Sequence, residues 1–260
     1  MSLQDLTQAA AAQNALTARI NAFFDQLESD RDDYAGLAAD LAAVVSAKLK
    51  QTFYVDAVAG NDAGPGTVAS PMKTIEAAAA KVLPGGNVKI LLMADQEHAA
   101  SGIFTNNRIV FGKYGNGAIP ILRTKAGWGT GFQFDNCAVA FGSIDIGTGL
   151  IENGVAPNSM FKRAGASRIS LLFSPITIGD ADFFEHDKED VGLPALTVYN
   201  CPITRVDGST GTARLMRARL GTLSIGGSTS IPAGSTFADF VPVVRNADGD
   251  AVNFLSNIVL

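Results

Sequence analysis

Thr52-Phe53-Tyr54-Val55-Asp56, then Gly60-Asn61-Asp62-Ala63-Gly64-Pro65-Gly66-Thr67, then Ser70-Pro71-Met72-Lys73-Thr74-Ile75-Glu76-Ala77-Ala78, is the stretch on which the fold turns. The first piece alternates like a short strand. The second concentrates the residues that make tight turns, with glycine for left-handed backbone and Asn, Asp and Pro for local hydrogen bonds and a fixed φ. The third reads as a short helix with Pro71 near its start, continued by residues 77–81 and stopped by Pro84-Gly85-Gly86. A buried strand over residues 88–93 is predicted to follow.

This string resembles the opening of the pectate-lyase-like right-handed β-helices of bacteriophage tail fibres and tailspikes. Their pattern runs YVD, GNDxxPGT and SPxKTIxxA, with a glycine-pair turn before the first coil. The similarity covers residues 52–98. It implies a mainly β protein whose body is a short right-handed parallel β-helix. The helix at residues 75–81 would then cap the first coil against water and strand addition.

Upstream, residues 3–50 contain no proline and a single glycine, Gly36, and are rich in alanine and leucine, as a continuous α-helix requires. Setting Leu6 at heptad position a places Leu6, Gln13, Ile20, Leu27, Tyr34 and Leu41 at a, and Ala9, Leu16, Phe23, Asp30, Leu37 and Val44 at d. Only Gln13 and Asp30 interrupt the apolar seam. A parallel coiled coil about 70 Å long is expected from the rise per residue. The alternatives are a helix packed on its own body, or two helices broken near Gly36. The heptads leave two or three strands open; the resemblance implies three.

Downstream, strand-like runs at residues 108–111, 120–123, 131–134, 138–144, 160–163, 168–173, 195–199, 214–220 and 238–244 are separated by Gly, Asn, Asp or Pro. Their spacing is irregular, so a β-helix with few coils is permitted, and a sandwich in the last third stays open. The expected domains are residues 1–50 (coiled coil and docking), 51–98 (opening strand and capping helix), 99–222 (coils) and 223–260 (C-terminal β cap). The 27 glycines and the low charged fraction of 17% fit a β-rich body.

A net charge of −5 without clustered Lys or Arg argues against nucleic acid as a partner. No run approaches the roughly 20 apolar residues needed to span a bilayer, and no signal-peptide pattern opens the chain, so synthesis in a cytoplasm is expected. Cys137 and Cys201 read as buried free thiols. Neither His98 nor His186 has metal-ligand spacing, and no cofactor motif is present, so neither a metal nor a cofactor is expected.

The densest acidic stretch, Asp180, Asp182, Glu185, Asp187, Glu189 and Asp190 around His186 and Lys188, reads first as a solvated face. Family resemblance gives a weaker alternative, in which Asp180, Asp182 and Glu185 are carboxylates of a polysaccharide depolymerase. Trp128, flanked by glycines, is a candidate for stacking on a sugar or a neighbouring protein. Arg217 and Arg219 share one strand face and are expected to point to solvent or to the acidic loop of another subunit.

The resemblance implies a non-enzymatic homotrimeric tail fibre or spike. Leu6, Leu16, Ile20, Phe23, Leu27, Leu37 and Leu41 would assemble an N-terminal rod that docks on a baseplate, tail or capsid protein. The body, displayed on the virion exterior, would meet a host surface glycan or protein. A head fibre or connector that binds only virion proteins is the further alternative.

Overall fold

The computed structural model describes residues 3–163, 166–186, 194–218, 221–250 and 252–258. The chain divides into two compact units, residues 1–48 and 49–260. The first is a single α-helix, Leu3–Leu49, of 47 residues. It runs through Gly36 without a break, so the two-helix alternative is corrected. One glycine costs a helix only about 1 kcal/mol, and no proline or capping residue is present to turn that cost into a stop.

The second unit is mainly β, built from parallel sheets. Its longest sheet has eight strands, paired in the order Lys50–Val55, Asn87–Met93, Arg108–Tyr114, Ala138–Gly142, Arg168–Leu172, Ala195–Tyr199, Gly221–Gly226 and Phe254–Ser256. A second sheet pairs Glu97–Ala99, Ile121–Thr124, Asp145–Thr148, Ile176–Ile178 and Ile203–Arg205. A third pairs Ser101–Thr105, Gly131–Asp135 and Phe161–Arg163, and a two-stranded piece joins Glu185–His186 to Arg217–Ala218. From Glu97 onward the chain visits the second sheet, the third and the long one in that order and repeats this circuit twice; in the next two circuits the two-stranded piece takes the place of the third sheet.

Steps along the long sheet are uneven, 37 residues from Lys50 to Asn87, 21 from Asn87 to Arg108 and 33 from Gly221 to Phe254, in keeping with the irregular spacing expected, and only its central strands recur evenly. Arg108 pairs with Ala138 and Ala138 with Arg168, steps of 30 residues; Arg168 pairs with Ala195 and Ala195 with Thr222, steps of 27. Every pairing between these strands is parallel, so the sandwich considered for the last third is corrected. The strand expected over residues 238–244 is absent. In its place Phe237–Asp239 forms a 3-10 turn, where Asp239 Oδ2 accepts from the Thr236 backbone N–H at 2.6 Å. Pro242 just beyond has no N–H to offer a ladder.

Alternation places the core. In Arg168–Leu172, Ile169 and Leu171 are buried while the residues between them face outward. Inward phenylalanines stack from strand to strand: Phe111 and Phe141 lie 4.5 Å apart and nearly parallel, and Phe104, Phe132, Phe134 and Phe161 pack around them. At the corner entering the long sheet, Asn106 and Asn136 are left-handed, and Asn136 Nδ2 donates to Asn106 Oδ1 at 2.8 Å. Cys137 occupies the same corner, its N–H donating to Ser167 Oγ at 2.9 Å; Cys201 does the equivalent at the exit corner, its N–H donating to Thr229 Oγ1 at 3.3 Å. Both thiols are buried and free, and burial raises their pKa.

The opening strand and short helix are locked by one carboxylate. Asp62 Oδ1 accepts from the Lys73 and Thr74 N–H groups at 2.9 and 2.8 Å, and Thr74 caps the helix Ile75–Lys81 by accepting from Ala77 N–H. The helix therefore begins four residues after Pro71. Pro71 and Met72 are held extended instead, with Met72 bridging Val55 in parallel.

Candidate functional site

Along the N-terminal helix the seam side chains Leu6, Leu16, Ile20, Phe23, Leu27, Leu37 and Leu41 are all exposed, from 45% at Ile20 to 66% at Leu37. Tyr34 and Val44, the remaining large seam residues, are exposed as well, and outside the seam so are Phe24 and Val45, both at heptad position e. Phe24 and Val45 widen the stripe on one side of the a/d seam. Asp30, the charge at a d position, accepts from Gln26 Nε2 at 2.7 Å. The Ala9 side chain lies outside the described residues.

The acidic stretch is tied into the body. Asp180 Oδ2 accepts from the Ile151 N–H at 2.9 Å, and its Oδ1 accepts from the Thr210 N–H and hydroxyl at 2.7 and 2.9 Å. It thus joins the loops before and after it, and those backbone N–H groups hold its pKa below the usual carboxylate value. Asp182 is 8% exposed; its Oδ1 accepts from Arg214 N–H at 2.8 Å and its Oδ2 pairs with Arg217 Nε at 2.9 Å. Burial raises its pKa despite these partners, and the charge of Glu185 adds to the rise. Glu185 accepts from Ser159 Oγ at 2.5 Å.

Of these three acids only Asp182 is buried, so the solvated face expected from the sequence is corrected at that position, while Asp180 and Glu185 stay partly exposed and hold partners as well. Arg217, expected to face solvent or another subunit, pairs within its own chain. Arg219, Asp187, Lys188, Glu189 and Asp190 lie outside the described residues, as does the side chain of His186. Among the described residues no group of three or more His, Cys, Asp or Glu side chains is gathered to hold a metal ion, and no helix is long and apolar enough to cross a membrane.

Trp128 is 36% exposed on a tight turn closed by reciprocal backbone hydrogen bonds with Lys125. Lys125 Nζ sits 5.4 Å from the ring centroid and also pairs with Glu97 at 2.7 Å. One ring face is thereby covered by a cation held in place by a carboxylate. Beside it on the second sheet, Arg123 reaches Asp145 at 2.6 Å.

Sequence reasoning missed the outward face of the long sheet. Register places Lys50, Asn87, Arg108, Ala138, Arg168 and Ala195 in one row across it, and Thr52, Lys89, Val110, Ala140, Ser170 and Thr197 in the next. Residues scattered over more than a hundred positions become neighbours only through the parallel register. The local sequence around each arginine carries no sign of this.

No protein-family model matches the chain, and no curated protein matches it. Among solved structures, the chain is similar to a GH136 lacto-N-biosidase from Eubacterium ramulus, at 19% identity and a TM-score of 0.39, over 68% of this chain and 36% of that one. This chain therefore spans about a third of that protein, and a likeness of that size carries no argument about activity.

Proposed function

We propose that the chain is a structural, homotrimeric fibre or spike protein of a bacteriophage-like particle, in which the N-terminal helix assembles and docks and the β body is displayed for attachment to a host surface. The body is read as a short right-handed parallel β-helix closed at its start by the helix Ile75–Lys81. Support for that finer architecture comes from the repeated circuit through three parallel sheets and from steps of 30 and 27 residues along the longest one. Parallel crossovers are right-handed in nearly all known cases.

The observation that carries the functional reading is the continuous exposed seam of the 47-residue helix. Seven large apolar side chains repeating at heptad spacing are costly to leave in water, and identical helices side by side remove that cost. The e-position residues Phe24 and Val45 broaden the stripe beyond a two-helix contact. Together with the resemblance of residues 52–98, this favours three copies. The carboxylates Asp180, Asp182 and Glu185 serve as ties between coils on this reading, since each already has a partner inside the chain.

Light scattering on the full chain and on a chain starting at Thr52 tests the proposal. The full chain is expected at three times the monomer mass, and removal of residues 1–50 is expected to abolish incorporation into particles. A monomeric full chain would overturn the assembly claim, and normal incorporation of the truncated chain would overturn docking through the helix.

A further inference from the structure

Three shallow depressions follow one another across the outward face of the long sheet. The first, about 420 Å³, lies between Lys50, Lys89 and Arg108. The second, about 350 Å³, lies between Arg108 and Arg168 over Ala138 and Ala140. The third, also about 350 Å³, continues past Arg168 to Ala195. Arg108 belongs to the first two and Arg168 to the last two, so the depressions form one groove with a guanidinium at each divide.

Among the described residues no carboxylate lines any of the three. Among the described residues, Lys50, Lys89, Arg108 and Arg168 form no ion pair. In a chain of net charge −5, this row of unneutralised cations over small side chains marks a place where an external anion would supply the missing charge.

We propose that this groove binds a linear acidic polysaccharide lying along the stacking direction of the strands. The inference rests on the reading above in one respect, that the body presents a binding surface. Lys50, Arg108 and Arg168 are each separated by one intervening strand in the row. Two strand spacings make their repeat about 9.5 Å. That is close to the length of a disaccharide, so one acidic group on every second sugar meets one cation after another. Of the two intervening positions, Ala138 leaves room for the neutral sugar and Asn87 offers it an uncharged amide to hydrogen-bond.

Arginine offers a planar fork that grips a carboxylate through two hydrogen bonds, and such charge-assisted contacts are stronger than neutral ones. Nucleic acid fits poorly, because phosphates along one strand recur about every 3.4 Å, far more densely than these cations.

The test uses the full-length protein with hyaluronan decasaccharide, which carries one carboxylate per disaccharide, dextran of matched length, and duplex DNA, all followed by calorimetry. Hyaluronan is expected to bind, more weakly as salt rises, and dextran is not. The double variant Arg108→Gln/Arg168→Gln is expected to bind on the order of tenfold or more weakly, with unchanged mass and melting temperature.

Absence of hyaluronan binding, binding that survives the double substitution, or equal affinity for DNA would each overturn the proposal. The mass of the same sample separates this from the assembly claim. A trimer that ignores hyaluronan loses only the groove, whereas a monomer that binds it keeps the groove and loses the trimer.

Discussion

His98 is fully buried near the start of the β body, where its Nε2 donates to the Met93 carbonyl at 3.2 Å and its Nδ1 has no partner among the described residues. Burial lowers its pKa below the ordinary value of 6.5, and the nearby Asp56 carboxylate only partly offsets this. The folded protein therefore resists a proton that the unfolded chain accepts. Its contribution to stability is complete above about pH 6.5 and is lost as the pH falls from there through the lowered folded value. Thermal melts from pH 7.5 to 5 are expected to fall for the natural protein and to flatten for His98→Leu, with His186 present in both; equal slopes would show that His98 titrates normally. Asp56 answers at lower pH. Burial alone would raise its pKa, but the N–H groups of Ala59 and Val58 and the Gln96 amide outweigh that and lower it below 3.8. Its stabilisation is present above 3.8 and is lost as acid protonates it. Asp56→Ala leaves those donors unpaired and is expected to cost about 2–3 kcal/mol in urea denaturation at neutral pH.

Within the elements, the two glycines with the clearest consequences act in opposite directions. A Cβ on Gly60 would approach the Met72 carbonyl oxygen to 2.2 Å, inside the turn that holds the opening strand to the capping helix. Gly60→Ala is therefore expected to destabilise the body by at least about 2 kcal/mol, read from its denaturation midpoint. Gly36 meets nothing within 4 Å, and Gly36→Ala is expected to favour the N-terminal helix by about 1 kcal/mol, seen as higher helical ellipticity. Results of the reverse sign would deny the cap its tight turn and the helix its continuity. In the core, Phe111→Ala removes a ring stacked on Phe141 and is expected to cost about 3–5 kcal/mol. Much of this was legible in the sequence, since residues 52–98 and the strand cores at Ile169, Leu171, Leu196 and Val198 follow turn chemistry and two-residue alternation. The pairing of the long sheet was not, because loops of unequal length separate strands that match only in register. Equivalent corner positions carry different side chains, as at Asn107, Cys137 and Ser167, each one residue before the aligned Arg108, Ala138 and Arg168. The cationic row was hidden for a related reason, as Lys50, Arg108 and Arg168 become neighbours only once the parallel register is known.

At the scale of the molecule, the two units draw their stability from different sources. The body buries its own core of stacked phenylalanines under paired parallel strands. The helix exposes Leu16, Ile20, Phe23, Leu27 and Leu37 to solvent in the single chain, so little beyond local propensity holds it there. On the proposed reading, association with identical helices would supply the burial that is missing, and the helix should then form in proportion to assembly. Far-ultraviolet ellipticity at 222 nm is accordingly expected to fall on dilution through the association range, while fluorescence from Trp128, which reports on the body, stays constant. Ile20→Asp/Leu27→Asp in the full chain places charges at an a position in successive heptads and is expected to produce the same loss at every concentration, again with the body intact. A helical signal that ignores both dilution and the double substitution would mean that the helix is stable alone, and the exposed seam would then need another explanation than self-assembly.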